Sequence, residues 1–282
     1  MICWDSAIVM PLPPQTAPAT APLPLPDDEI HLWVVPESDV PNQLLPHYQS
    51  LLSAEELARY QRRRTEEGRR RFLITRATVR SVLSAYHPAL APALWRFSNN
   101  AYGRPEAIFD DHTPPLVFNI SHATGMVLLA VARRGELGVD VEDTWRECQA
   151  GDLARRFFSS AEAEDLLQLP ASQQRARFFD LWTLKEAYIK ACGMGLAIPL
   201  GSFGYRFAGD TISIGFDAAR NDQSERWQLW QLRASERHQV GLAYAGQQPM
   251  RVLGRTLVPL QSCSALDVQR QLIRYSSTNL EP

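Results

Sequence analysis

Two stretches of this sequence concentrate the groups that could do chemistry. In Leu137-Gly138-Val139-Asp140-Val141-Glu142, two carboxylates stand two residues apart. In Trp182-Thr183-Leu184-Lys185-Glu186-Ala187-Tyr188-Ile189-Lys190-Ala191-Cys192-Gly193, Glu186 precedes Lys190 by one helical turn. The period of two in a strand places Asp140 and Glu142 on one face and Val139 and Val141 on the other. Adjacent carboxylates raise each other's pKa unless a cation neutralises them. They would line either a solvated strand face or an all-oxygen site for a hard ion, Mg2+ first and Mn2+ next, with Glu186 as a natural third ligand.

The second stretch must be a helix to bring Glu186 into play. Leu181, Leu184, Tyr188 and Ala191 form its apolar stripe, widened by Phe178, Trp182 and Ile189, while Thr183, Glu186 and Lys190 share the remaining face. Gly193 supplies the C-terminal stop. Glu186 and Lys190 could be a solvated i, i+4 ion pair of small energetic consequence. Yet the chain has 29 basic residues of which two, Lys185 and Lys190, are lysines. Lysine offers a mobile point charge with a tunable pKa where arginine offers a rigid fork, so retention here fits a proton donor or a point charge on phosphate.

The elements before this helix offer further anion-binding groups. Ser53-Ala54-Glu55-Glu56 is a capping box that opens a helix. Nine arginines follow between Arg59 and Arg80, with Gly68 expected to break two helices. Most fit a salt-bridged surface; a subset could converge on phosphate. Asn99-Asn100-Ala101-Tyr102-Gly103-Arg104-Pro105 is a turn that sets an arginine beside a glycine. Val117 to His122 and Met126 to Ala132 read as strands, as do Ile30 to Val35 and four runs between Phe203 and Tyr244. Glu162, in Ser159-Ser160-Ala161-Glu162, reads as a capping-box acid. A short amphipathic helix is expected over about 265–275.

Composition bounds the class. With 282 residues, 45% of them hydrophobic, the chain can bury one large core or two smaller ones. A net charge of −2 speaks against a general nucleic-acid binder. Cys3, Cys148, Cys192 and Cys263 are widely spaced, which suggests reduced thiols rather than a disulfide framework. No apolar run is long enough to span a membrane, and the first lysine or arginine is Arg59, so neither a membrane anchor nor a secretory leader is expected and the cytoplasm is the expected location. Seven prolines between Pro11 and Pro26 suggest an extended tail.

Taken in order, Arg104-Pro105 after a glycine, Asn119-Ile120-Ser121-His122, Gly138-Val139-Asp140-Val141-Glu142, Arg156-Phe157-Phe158-Ser159 and Trp182 to Lys190 followed by Gly195-Leu196 resemble the 4'-phosphopantetheinyl transferases of the larger, surfactin-synthetase-activating type. The likeness covers roughly residues 30 to 250. It implies an α+β fold in which two similar halves form a pseudo-dimer with coenzyme A between them. The corresponding division is a proline-rich tail over 1–27, halves over 28–134 and 135–260, and an extension over 261–282. It also implies transfer of phosphopantetheine from coenzyme A to a serine of an acyl or peptidyl carrier protein of fatty-acid, polyketide or peptide synthesis, by a monomer.

By position, the resemblance makes Asp140, Glu142 and Glu186 the Mg2+ ligands. Arg59, Tyr102, Gly103, Arg104, Asn119, Ser121, His122 and Lys190 become coenzyme A contacts, with Arg71 and Arg80 as further phosphate candidates. Glu186, or a metal-held water, would take the serine proton while Lys190 serves the leaving phosphate. Arg104 stands where lysine is common in the family, and Ala123 where a small hydroxyl residue is frequent. A Mg2+-dependent phosphodiesterase or nuclease and a non-catalytic carrier-binding scaffold are the competing readings; the first would need a basic groove, and the second has no use for mutually repelling carboxylates.

Overall fold

A computed structural model describes residues 10–11, 21–109, 115–246 and 248–276. The first part of the chain contains β1 (Met10–Pro11), β2 (Glu29–Pro36), α1 (Leu45–Ser50), α2 (Ala54–Gln61), α3 (Glu66–Tyr86), β3 (Phe97–Asn99), β4 (Pro105–Ala107), β5 (Val117–Ala123) and β6 (Met126–Ala132). There follow β7 (Glu136–Asp143), α4 (Ala150–Phe157), α5 (Ser160–Gln168), α6 (Ala171–Cys192), β8 (Phe203–Ala208), β9 (Thr211–Phe216), β10 (Trp227–Arg233) and β11 (His238–Ala245). The last elements are β12 (Arg251–Val258), β13 (Ser262–Leu266), α7 (Val268–Gln271) and β14 (Leu272–Ser276).

Strand alternation sorts these elements into four layers, giving the α+β class expected. One six-stranded sheet has the order β1-β13-β12-β2-β6-β5 and the other β7-β11-β10-β14-β9-β8. Trp33 and Val35 of β2 and Val127, Leu129 and Val131 of β6 face a core with Leu73, Ala77 and Leu83 of α3. Ile30, Leu32, Val34, Leu128 and Ala130, on the opposite faces of those strands, meet Val139, Val141, Val240 and Leu242 of the second sheet. Beyond the second sheet, Trp227, Leu229, Ala243 and Ala245 pack under Leu184, Ala187 and Tyr188 of α6. The period of two in each strand thus divides its side chains between two cores.

Two local expectations fail for identifiable reasons. Gly68 does not break the helix, because α3 runs from Glu66 to Tyr86 with Thr65 as N-cap, its hydroxyl accepting from the Gly68 amide at 3.1 Å. In the first turn a glycine costs little, since its amide has no partner within the helix and takes the cap. The helix expected over 265–275 shrinks to Val268–Gln271 between strands. Tertiary pairing overrides local pattern there, since Leu272–Ser276 is taken up between β9 and β10.

The final strands also cross between layers. β12 runs parallel to β2 in the first sheet, and β12 and β13 form a hairpin that spans position 260. β14 then enters the second sheet. Among the described residues no helix is long and apolar enough to cross a membrane.

Candidate active site

The candidate site is built where β5 and β7, edge strands of the two sheets, meet under α6. Side chains, rather than a backbone ladder, join the two edges. The Val139 amide donates to Asn119 Oδ1 at 3.0 Å, and the Val141 amide to Ser121 Oγ at 3.3 Å. Ser121 in turn donates to Asp140 Oδ1 at 2.8 Å and accepts from Lys190 Nζ at 2.9 Å. A hydroxyl has one donor and two acceptor places, so Ser121 is fully used. Asn119 and Ser121, expected among the coenzyme A contacts, are therefore buried pieces of the strand junction.

Glycine allows α6 to come close enough to complete the group. A Cβ on Gly138 would overlap the Ala187 carbonyl oxygen and the Ala191 amide, and one on Gly241 would overlap the Thr183 carbonyl. Backbone on backbone, neither contact could be relieved by a rotamer. This approach carries Lys190 to 2.6 Å from Asp140 Oδ1 and 3.3 Å from the Val139 carbonyl. Gly193, at φ +70°, then ends the helix, as expected.

Asp140, Glu142 and Glu186 act on one another electrostatically. Desolvation, then the charge of Asp140, pushes Glu142 above the usual carboxylate range, with Arg146 and Lys190 opposing. Glu186 is pushed up to about 7 by desolvation and by Asp140 and Glu142, against Lys190. Cations hold two of the three: Lys190 on Asp140 and Arg146 on Glu142 at 3.1 Å. Among the described residues no three His, Cys, Asp or Glu side chains stand in metal-ligating geometry. The donor set nonetheless fits a hard dication. Asp140 Oδ2 is buried with no hydrogen-bond partner, and a buried carboxylate oxygen left in that condition is costly.

The cationic side of the site comes from the first sheet and α3. His122 is exposed, yet the desolvation it does suffer, then the charges of Arg71, Lys190 and Arg63, pull its pKa below the usual histidine value. Arg71 is anchored by Glu37 at 2.5 Å and Glu67 at 2.6 Å. Arg63 lies over the Phe72 ring. Its place here was hidden in the sequence by eight similar neighbours. Arg59 pairs with Glu55 on the outer face of α2, and its charge reaches Arg76. Arg80 is not available to phosphate: it is 1% exposed, bound to Glu56 at 2.6 Å and to the Pro92 and Trp95 carbonyls.

Residues 99–105 dock on the C-terminus of α6. Asn100 Oδ1 accepts from the Tyr102 and Arg104 amides, and its Nδ2 donates to the Gly193 carbonyl at 2.7 Å. Arg104 donates to the Ala191 carbonyl at 3.2 Å and pairs with Glu106 at 2.8 Å. A cation there complements the negative end of the helix. Tyr102 is exposed, and Gly103 takes φ +90°.

The two lysines have unlike roles. Lys185 is fully buried, donating to the Leu200 and Phe203 carbonyls at 2.7 and 2.6 Å and pairing with Glu162 at 2.9 Å. Burial lowers its pKa, and Glu162 opposes that shift. Glu162 completes the capping box at Ser159 and also accepts from the Tyr205 amide. Lys185 is structural, and only Lys190 reaches the carboxylates. Lys185→Met should leave Glu162 buried without its counterion and cost about 3–5 kcal/mol of stability. A urea midpoint equal to that of the parent protein would refute that role.

Residues 136–243, which carry all of Asp140, Glu142, Glu186 and Lys190, match the family profile of the 4'-phosphopantetheinyl transferase superfamily. The chain is 39% identical over 172 residues to 4'-phosphopantetheinyl transferase HetI of Nostoc sp., spanning 60% of this chain and 71% of that protein. It is 36% identical over 163 residues to 4'-phosphopantetheinyl transferase Sfp of Bacillus subtilis, spanning 58% and 70%. A third relative, 4'-phosphopantetheinyl transferase ffp of Bacillus subtilis, is 38% identical over 161 residues, spanning 57% and 69%.

Proposed function

The chain belongs to the 4'-phosphopantetheinyl transferase superfamily, and on that premise we propose that it carries the phosphopantetheine of coenzyme A to a serine of an apo acyl or peptidyl carrier protein, with Mg2+, releasing adenosine 3',5'-bisphosphate. The observation that carries this reading is the half-buried cluster in which Asp140, Glu142 and Glu186 share one neighbourhood with Lys190. Three acids and one mobile cation match the needs of a pyrophosphate that must be held, polarised and split. The enzyme works as a cytoplasmic monomer in this proposal, without nucleic acid or membrane.

In the proposed reaction the serine oxygen forms a bond to the β-phosphorus of coenzyme A. The bond from that phosphorus to the bridging oxygen breaks, and the electron pair leaves on adenosine 3',5'-bisphosphate. Glu186 takes the serine proton as a carboxylate base. Lys190 offers its ammonium to the departing phosphate. Asp140, Glu142 and Glu186 would hold Mg2+, which when bound polarises the phosphates and offsets the developing negative charge. Ser121 keeps Asp140 and Lys190 in register. Arg59, Arg63, Arg71, Tyr102, Gly103, Arg104 and His122 would engage coenzyme A, with cations meeting its phosphates.

The direct test is intact-mass spectrometry of an apo carrier protein incubated with this enzyme, coenzyme A and Mg2+. A gain of one phosphopantetheine that disappears without metal supports the proposal. No gain on either an acyl or a peptidyl carrier, from folded enzyme, would leave the scaffold reading. Lys190→Arg keeps the charge but not its compact placement. It is expected to lower kcat about tenfold or more while KM for coenzyme A moves less than threefold. Unchanged kcat would remove Lys190 from the chemistry.

A further inference from the structure

Across the second sheet from β7, a buried polar network connects α6 to the last described strand. Gln231 of β10 and Gln239 of β11 are 0% and 2% exposed, between an apolar sheet face and a helix. Their amide nitrogens both donate to Asp180 Oδ1 on α6, at 2.9 and 2.6 Å. Asp180 Oδ2 faces Arg274 of β14 at 3.4 Å and Arg177 at 3.9 Å. Arg274 also donates to Gln231 Oε1, and its guanidinium lies 4.6 Å from the Phe207 ring centroid.

Two features place this network in relation to the active site. Gln239 is the cross-strand partner of Glu142. Asp180 lies on α6, the helix that presents Glu186 and Lys190. The pairing also has a bulge: Gln231 faces Arg274 and Leu232 faces Leu272, leaving Ile273 as an extra residue on β14. A bulge re-aims the side chains around it, and here it sets Arg274 beside Gln231 on the α6 side. β14 is the strand that joins β10 to β9 in the sheet order, and it is held further by Ser276 Oγ accepting from the Leu229 amide at 3.1 Å and by the Tyr275 amide on the Asp210 carbonyl at 2.9 Å.

We propose that β14 belongs to the active-site scaffold, and that Arg274 is a positioning residue which, through Asp180, seats α6 on β10 and β11 and so sets the placing of Glu186 against Glu142. Buried amides need their full complement of partners, so loss of Arg274 leaves Asp180 with the more distant Arg177 as its counterion, takes a donor from Gln231 Oε1, and loosens the hold of Gln231 and Gln239 on the helix. The effect on metal rests on the proposed Mg2+ role of Glu142 and Glu186; the effect on helix seating does not.

The test uses the full chain as Arg274→Ala, Arg274→Lys, Asp180→Asn and the double variant Arg274→Ala/Asp180→Asn. Mg2+ affinity is measured by calorimetry, α6 amide exchange by mass spectrometry, and KM for coenzyme A by kinetics. Arg274→Ala should exchange faster across residues 180–192 and weaken Mg2+ binding about tenfold, the scale of an outer-shell partner. KM for coenzyme A should change less than twofold. Arg274→Lys should recover part of both losses, and the double variant should be no worse than the worse single change. A lowered melting temperature with unchanged Mg2+ affinity and unchanged α6 exchange would overturn the proposal and leave Arg274 a plain stabilising contact. If the parent enzyme binds no Mg2+, the metal reading fails separately; faster α6 exchange in Arg274→Ala then upholds the seating role, and unchanged exchange overturns it.

Discussion

Glu186→Gln is expected to reduce transfer to a carrier protein by about a hundredfold or more and, at the same time, to make the metal-free enzyme more resistant to heat at pH 8. Desolvation and the charge of Asp140 raise the Glu186 pKa to about 7 in the folded enzyme. In the unfolded chain a glutamate titrates near 4.3. Between those values the folded state binds the extra proton, so stability falls as pH rises. The contribution of the protonated form is full below about pH 4.3 and lost as pH passes through about 7. Glutamine never ionises and escapes that loss. Melting curves of parent and variant should therefore nearly coincide at pH 4.5 and diverge at pH 8, with the variant higher; a given concentration of Mg2+ should raise the parent more than the variant. A variant less stable than the parent at pH 8 would mean that Glu186 is not strained by its neighbours.

Gly138→Ala and Gly241→Ala should each disrupt the seat of α6. Their added methyl groups would enter the backbone of Ala187, Ala191 and Thr183, none of which can rotate away. Overpacking of this kind costs about 1–3 kcal/mol and sometimes more. Here it also lifts Glu186 and Lys190 off β7. Loss of carrier modification should exceed what the fraction unfolded explains, as read from denaturant melts and single-turnover transfer on the same sample. Gly215→Ala, where an added methyl meets nothing within 4 Å, is the matched control. Near-parental turnover in Gly138→Ala would show that the close approach is not needed.

The strands were legible because a period of two needs only neighbouring residues. Val139 and Val141 face the inter-sheet core while Asp140 and Glu142 turn toward α6, as alternation implies. The capping boxes at Ser53 and Ser159 were legible for the same local reason. What depends on distant chain was not. The rarity of lysine marked Lys185 and Lys190 alike, yet one pairs with Glu162 inside the core and the other with Asp140 at the site. Arg80 looked like its eight neighbours until Glu56 claimed it. Asn119 and Ser121 lie in a recognisable motif, but that they stitch β5 to β7 depends on which strand lies beside them. Arg274, ninety-four positions from Asp180, carries no local sign at all.

The parallel pairing of β2 with β12 sets a condition on the birth of the enzyme. Residues 29–34 pair on one side with β6, but their other sheet neighbour comes only at 251–256, and β9 and β10, paired on one side with β8 and β11 respectively, gain their second neighbour only at Leu272–Ser276. At synthesis rates of about 5–20 residues per second, the strand around residue 34 waits roughly ten to fifty seconds for its second partner to emerge. Through that interval the nascent chain carries an unfilled sheet position and the apolar residues that will later be enclosed. Folding dominated by such distant pairings is slow and exposed to aggregation. Yield of soluble enzyme should therefore depend on chaperone supply and growth temperature more than the stability of the finished molecule suggests.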